Sequence, residues 1–249
     1  MLTPTQIALP SGSQTALFLL RWLHVIAGIT WVGLLYFFNL VNVPFLNDLD
    51  PGTKSTVVPK LMPKALWWFR WSSVVTVLLG LSYWMHLVAA DVRNAQASGE
   101  HASGLTLTAS FFLLWTVAFA VEMGVLMSPA AALKRGPVLG VVVAIAVVSA
   151  AVLFLRMNRQ GWESNPTLAI GIGGGLGWFM MLNVWGIIWR MQKKLIRWTE
   201  ASARGEAMPA EAAKIARLAF LTSRVNFWLS FPMLFFMSAA SHLILFPPR

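Results

Sequence analysis

The sequence predicts an all-α fold, a polytopic membrane helix bundle with about six transmembrane helices. Of its 249 residues, 57% are hydrophobic and only 11% are charged, and the mean hydropathy is +0.68. An average soluble domain has roughly 25% charged residues. Apolar stretches of membrane-spanning length recur along the chain, and the basic residues concentrate in every second connection between them.

The six predicted spans are residues 16–42, 65–89, 105–127, 137–157, 167–190 and 218–246. Each is close to the roughly 20 residues that cross the hydrocarbon core. Helices are expected because lipid offers no partner to an open backbone N–H or C=O group. No small-residue cleavage site follows the first stretch, so we expect it to remain as a helix. Residues 1–249 are expected to form a single transmembrane helical domain, because the spans leave little room for a soluble one.

The basic residues predict the orientation of this bundle. Most Lys and Arg residues fall in the connections between predicted helices 1 and 2, 3 and 4, and 5 and 6. The positive-inside rule then places both termini on the non-cytoplasmic side of a bacterial inner (cytoplasmic) membrane. The net charge of +10 reflects topology and contacts with the lipid bilayer, so it does not indicate a nucleic acid partner. Residues 197–217 are expected to form a short cytoplasmic helix that begins near Pro209.

Three of the four histidines lie within predicted spans, each near the outer end of its helix. They are His24, His86 and His242, and the helical rise places them within about one or two turns of the same level. Neutral imidazole is an axial ligand of haem iron, and facing helices of a bundle can supply two such ligands. The chain has no cysteine, so a covalently attached c-type haem is excluded. The pattern predicts a non-covalent haem b.

The surroundings of the histidines allow two interpretations. His24, Gly28 and Trp31 share one face of the first helix by their spacing, which makes Gly28 and Trp31 candidates for contact with the haem. The glycines within residues 171–177 are expected at the same level, where they would leave room for the macrocycle. The alternative is structural, since a single intramembrane His is often only a hydrogen-bonded core residue and glycine runs often bring helices together.

A second group of polar residues is predicted in the inner half of the bundle. Glu122 is the only acidic residue in a span, and Arg70, Asn183, Arg224 and Asn226 are expected at a similar depth. A charge in lipid costs about 3 kcal/mol and persists when it is paired or functional, so we expect Glu122 to pair with Arg70 or Arg224. Arg70, Glu122, Asn183 and Arg224 are the candidate catalytic residues for a small anionic or purine substrate. The alternative is a structural ion pair beside an interfacial aromatic belt.

Several motifs in this sequence resemble those of one family. They are RWLHVIAGITWVG at 21–33, MPKALWWFRW at 62–71, LNVWGIIWRMQKK at 182–194, SRVN at 223–226 and SFPMLFFM at 230–237. In this order they resemble the urate oxidase N-terminal membrane domain family. The best-known members of that family are membrane-bound urate hydroxylases that carry a C-terminal cytochrome c domain. The resemblance extends over nearly the whole chain.

The resemblance implies a urate hydroxylase-like oxidoreductase, or a subunit of one, with its C-terminus outside. His24 in the first motif and His242 after the last motif match the family best, which makes them the first ligand pair for the haem; His86 matches less securely. This sequence stops at Arg249 with no cytochrome c domain. The electrons are therefore expected to pass to a separate periplasmic cytochrome c or respiratory complex.

Two other functions remain open from the sequence. One is a copper or small-solute membrane protein, because two methionine pairs have helical i, i+4 spacing and thioethers with imidazole suit Cu(I). These pairs are Met123 with Met127 and Met233 with Met237. The other is a cofactor-free accessory subunit that stabilises a larger membrane complex.

Overall fold

The computed structural model describes residues 11–247, which form six long helices and no strand. The helices are α1 (Gly12–Asp48), α2 (Pro51–Ala97), α3 (Gly104–Met127), α4 (Gly136–Asn158), α5 (Asn165–Ala203) and α6 (Ala212–His242). Helices α1 to α5 are long and apolar enough to cross a membrane, by length and composition. The predicted all-α helical bundle is confirmed.

Polar side chains fix the start of helices at the ends of connections. Asp50 caps α2, because its carboxylate accepts hydrogen bonds from the backbone N–H groups of Gly52 and Thr53 at 2.9 and 3.1 Å. The hydroxyl of Thr53 also donates to this carboxylate. These hydrogen bonds, the Thr53 hydroxyl first, lower the pKa of Asp50. The cap therefore stays charged at neutral pH.

Several helices are longer than the predicted spans. Helix α2 has 47 residues, which at about 1.5 Å per residue gives roughly 70 Å, more than twice the thickness of the hydrocarbon core. Helix α5 continues to Ala203 and ends in a Schellman motif in which Gly205 adopts a φ of 91°. The prediction of a short separate helix over residues 197–217 is wrong: the connection is divided between the end of α5, a loop and the start of α6.

Helix α5 occupies the centre of the bundle. In its most apolar window 72% of the residues are buried, against 11% in α1. It packs mainly along α6 and also contacts α2 and α3, while α1 lies along α2 and α3 lies along α4. The residues most enclosed by protein are therefore those of α5.

The glycines of α5 bring neighbouring helices close. A Cβ atom placed on Gly171 would collide with the ring of Phe154, and one placed on Gly175 would collide with the indole of Trp115. At Gly173 the added atom would lie 3.2 Å from the carbonyl oxygen of Met233 on α6. These three glycines serve helix packing, and the space above Gly171 and Gly175 is filled by aromatic rings.

Two of the helices contain a segment with π-helical hydrogen bonding. The segments are Phe37–Asn42 in α1 and Val184–Ile188 in α5. Short π-helical segments inside α-helices are frequent at functional sites. Both adjoin buried polar side chains, which form the candidate site.

Candidate functional site

A hydrogen-bonded network joins three helices in the buried interior. The side-chain amide of Asn183 on α5 donates both to Glu122 Oε2 on α3, at 2.8 Å, and to Asn226 Oδ1 on α6, at 2.9 Å. Asn226 in turn donates from Nδ2 to the carbonyl oxygen of Met180 at 3.0 Å. Glu122, Asn183 and Asn226 are each 0% exposed. Asn183 is therefore the centre of the network.

Two acceptor atoms of this network are left open. Glu122 Oε1 and Asn183 Oδ1 are buried and have no hydrogen-bond partner among residues 11–247. An acceptor without a partner in a low-dielectric interior is costly, so a proton or a ligand N–H group would be stabilised there. The network can thus accept hydrogen bonds from a small molecule or hold a proton.

The expected ion pair between Glu122 and an arginine is wrong. Within the described part of the chain, the ion pair found is Arg204 with Glu206, at 3.4 Å, in an exposed loop. Glu122 instead takes an uncharged amide as its partner. The amide satisfies one carboxylate oxygen without requiring a second charge to leave water.

Arg70 on α2 lies among tryptophans rather than carboxylates. Its guanidinium carbon is 4.0 Å from the ring centroid of Trp189, 5.0 Å from that of Trp185 and 5.3 Å from that of Trp71. Trp185 also donates from Nε1 to the carbonyl oxygen of Arg70 at 3.3 Å. Such cation–π contacts hold the charge of Arg70 beside the middle of α5, shortly after Asn183. Asn183 directly precedes the π segment to which Trp185 belongs.

Arg224 on α6 has different surroundings. Its guanidinium carbon lies 5.3 and 5.8 Å from the ring centroids of Phe220 and Phe227, and the side chain lines a groove between α4 and α6. Of the four candidate catalytic residues, the structure thus joins Glu122 to Asn183 by a hydrogen bond and gives Arg70 and Arg224 two separate aromatic surroundings.

The π segment of α1 adds buried polar residues that the sequence analysis did not single out. Asn39 donates from Nδ2 to the hydroxyl of Ser223 on α6 at 2.9 Å, and its Oδ1 is buried without a partner. Asn42, one turn further, also has an open Oδ1. The sequence does contain a signal, two asparagines in an apolar span, but it does not reveal that Asn39 contacts Ser223 on α6.

His24 on α1 is held against α2. Its Nδ1 donates to the carbonyl oxygen of Thr76 at 2.8 Å, which leaves Nε2 as the free ring nitrogen. A Cβ atom on Gly80 would lie 2.8 Å from His24 Cε1, so the absence of a side chain at position 80 makes room for the imidazole. The orientation of His24 is therefore fixed by α2.

A hydrogen bond between α1 and α6 relates the position of His242 to that of His24. Tyr36 on α1 and Ser230 on α6 are joined by a hydrogen bond of 3.1 Å between their hydroxyls. His24 precedes Tyr36 by twelve residues on α1, and His242 follows Ser230 by twelve residues on α6, so each histidine lies roughly 18 Å along its helix from the residue in this hydrogen bond. His242 is exposed, and its Nδ1 donates to the carbonyl oxygen of Ser238 at 2.8 Å, which again leaves Nε2 free.

The other residues predicted around the haem lie as follows. His86 is exposed and lies six residues beyond Gly80, roughly 9 Å further along α2 than the part that contacts His24. A Cβ atom on Gly28 would lie 3.6 Å from Thr76, so this part of α1 packs closely on α2. Trp31 is buried, and its Nε1 has no partner among the described residues.

The methionines and acidic residues give little support to a second metal site. The methyl groups of Met123 and Met237 pack near Gly186 and Gly174 of α5, and Met127 is 76% exposed. Between residues 11 and 247 there is no group of three or more His, Asp or Glu side chains that could hold a metal ion. Met123 and Met237 thus act as apolar packing in the bundle.

The Nδ1 hydrogen bonds of His24 and His242 are of the kind that metal-ligating histidines make, whereas the surroundings differ: His24 packs against α2 and His242 is exposed. In each, Nδ1–H is bound by a backbone carbonyl, and such a bond fixes the tautomer and ring orientation of a metal-ligating His. Nε2 is thus the nitrogen of each ring that could serve as a metal ligand. His86 offers an alternative imidazole.

The chain also matches a known protein family. A family model described as urate oxidase N-terminal matches residues 51–247 of the chain. No curated protein and no solved structure matches the chain. The matched range includes Arg70, Glu122, Asn183, Arg224 and His242, whereas His24 and the motif at 21–33 precede it.

Proposed function

Because the chain belongs to the urate oxidase N-terminal family, we propose that it is a haem b-binding membrane oxidoreductase of the urate hydroxylase type. The proposal has two sites: an inner site at the network of Glu122 and Asn183, and an outer site at His24 and His242. The electrons leave the outer site for a separate periplasmic cytochrome or respiratory complex. The observation that supports the proposal is the equal number of residues, twelve, between His24 and Tyr36 and between Ser230 and His242, with Nδ1 of each histidine bound to a backbone carbonyl.

The inner site would take a purine such as urate. A purine presents N–H groups that match the open acceptors Glu122 Oε1 and Asn183 Oδ1, and Arg70 supplies the charge that attracts an anion. Both acceptors are fully buried, so the substrate reaches them only when the helices around them move apart. The adjacent π segment of α5 is a suitable place for such a movement, because its hydrogen bonding already departs from the regular helix.

Glu122 would also receive a proton from the substrate. Hydroxylation of a purine carbon by water releases two electrons and two protons, and a carboxylate within hydrogen-bond reach can accept one of those protons. Haem, when bound, supplies a redox centre that takes up the electrons one at a time. Asn226 of the network lies sixteen residues before His242 on α6, so roughly 24 Å along that helix separates the levels of the two sites.

The haem assignment predicts a complete loss of signal in two variants. The purified protein, reduced with dithionite, is expected to show the Soret and α bands of a b-type haem. His24→Ala and His242→Ala should each remove these bands, because each removes one axial ligand. The matched control is His101→Ala, which changes an exposed residue in the connection between α2 and α3 and should leave the spectrum unchanged.

The outcomes separate this proposal from its alternatives. Unchanged spectra in both His24→Ala and His242→Ala would overturn the ligand pair, and loss of the bands only in His86→Ala would transfer the role to His86. A wild-type protein without haem bands contradicts the haem assignment. Metal analysis would then distinguish copper binding from a cofactor-free accessory subunit.

The substrate assignment predicts that urate reduces the haem. Glu122→Gln keeps the size of the side chain and an oxygen that can accept from Asn183, but it removes the carboxylate that would take the proton. We expect this variant to lose urate-dependent haem reduction by at least about a hundredfold while keeping its dithionite-reduced spectrum. Glu100→Gln, at an exposed residue near the end of α2, is the control. Absence of urate-dependent reduction in the wild type would remove the purine from the proposal.

A further inference from the structure

A groove runs between α4 and α6 on the membrane-facing surface. Its inner section has a volume of about 430 Å³, and an outer section of about 530 Å³ continues from it. The two sections share Ala144 and Leu229. The inner section is lined by Gly136, Gly140 and Val143 of α4 and by Phe220, Arg224 and Trp228 of α6.

The groove exists because one of its walls lacks side chains. Gly136 and Gly140 are four residues apart and so face the same side of α4. A Cβ atom on Gly140 would meet nothing within 4 Å, and one on Gly136 would lie 3.8 Å from Leu221. Along the rest of the groove the lining side chains are apolar, and Arg224 is the charged residue among them.

Basic residues surround the inner end of this groove. Arg217 precedes Arg224 by seven residues and lies on the same face of α6, and Lys134 and Arg135 directly precede Gly136. The ion pair in residues 11–247 is Arg204 with Glu206, so none of these cations has a carboxylate within 4.0 Å. These basic residues therefore lie at the end of an apolar groove, near the start of α4, without a protein counterion.

We propose that the inner section of the groove binds an anionic phospholipid. The phosphate contacts Arg224, with Arg217 and Arg135 nearby, and one acyl chain lies along Gly136 and Gly140. Charge-assisted hydrogen bonds from a guanidinium to a phosphate are among the strong polar contacts, and basic residues at this membrane surface attract anionic lipid. Trp228, 66% exposed beside Arg224, is of the residue type that anchors proteins at the headgroup level. This site does not depend on the proposed electron transfer.

The test measures the thermal midpoint of delipidated protein in detergent as lipid is added. Phosphatidylglycerol should raise the midpoint of the wild type by several degrees, because a ligand that binds only the folded state stabilises it. Phosphatidylcholine with the same acyl chains should give a much smaller rise. Arg224→Gln removes the charge and should weaken the response to phosphatidylglycerol by about tenfold in lipid concentration.

A second variant tests the channel without changing any charge. Gly140→Leu fills the groove where there is open space, so the protein should fold and yet lose the response to phosphatidylglycerol. Its controls are Gly124→Leu, another helical glycine with nothing within 4 Å, and Lys194→Gln, an exposed cation on α5. Both controls should respond like the wild type.

Three results would overturn the proposal. They are an equal response to the two phospholipids, a wild-type response in Gly140→Leu, and a full response in Arg224→Gln. Displacement of phosphatidylglycerol by a neutral prenylquinone at equal concentration would also overturn it, since the groove would then select for the apolar chain rather than for the charge. If Arg224→Gln fails to fold, Gly140→Leu and the comparison of the two phospholipids still decide the outcome.

Discussion

Gly175→Ala is expected to destabilise the protein by about 3 kcal/mol or more, although it adds a single methyl group. The new Cβ atom would overlap the indole of Trp115, which is fully buried in the core. Overpacking of this kind forces side chains off their rotamers or shifts the backbone, at a cost of roughly 1–3 kcal/mol and occasionally more. Because the overlap is with a buried ring in the centre of the bundle, we expect the loss of stability to lie at the upper end of this range.

The control for this prediction lies two residues further along the same helix. Gly177→Ala adds a methyl group where nothing lies within 4 Å, so it should be neutral or stabilising through helix propensity, by up to about 1 kcal/mol. The measurement is the thermal midpoint in detergent, where about 1 kcal/mol corresponds to roughly 2–4 °C for a chain of this size. Equal midpoints for the two variants would contradict the packing role of Gly175.

A compensating substitution sharpens the same experiment. Trp115→Phe removes the part of the ring that carries Nε1, and this nitrogen has no hydrogen-bond partner within residues 11–247. The double variant Gly175→Ala with Trp115→Phe should therefore be more stable than Gly175→Ala alone. Such non-additivity is expected for residues in contact.

The sequence predicts the helices well because the bilayer imposes a strong constraint on them. Each predicted span lies largely within one helix, although the last, residues 218–246, runs past the end of α6 at His242. Glu122, the acidic residue within a span, is buried. The helix ends in the connections are less predictable, since outside the lipid an amphipathic end of α5 and a separate short helix have similar patterns. The turn at Gly205 decides between them.

The partners of the polar residues are less predictable than their depth. Depth follows from residue number, but rotation about the helix axis decides whether Glu122 meets Arg70, Arg224 or Asn183. The π segment Val184–Ile188 changes the rotation of the α5 residues that follow Asn183, and no pattern in the sequence predicts this segment. The same holds for the glycines of α5. A run of glycines predicts that another part of the protein packs closely on the helix, but it does not predict which side chains do so.

Asn183→Leu is expected to cost about 3 kcal/mol of stability and to remove urate-dependent haem reduction. One amide nitrogen of Asn183 donates to both Glu122 Oε2 and Asn226 Oδ1. Leucine has a similar size but no donor, so it leaves a carboxylate oxygen and an amide oxygen buried without partners. Each such loss typically costs about 1–3 kcal/mol, and more where the group is charged.

A double-mutant cycle separates the loss of this hydrogen bond from a general packing defect. When Glu122→Leu is combined with Asn183→Leu, both partners become apolar, and the double variant should be more stable than the sum of the single losses predicts, by about 2 kcal/mol. Asn158→Leu is the reference. Asn158 is also buried, but it donates to Ser110 and to the carbonyl oxygen of Phe154, so its effect should add to that of Glu122→Leu. Additive losses of stability for Glu122→Leu and Asn183→Leu would mean that these two side chains do not stabilise each other. The hydrogen bond on which the inner site is built would then be contradicted.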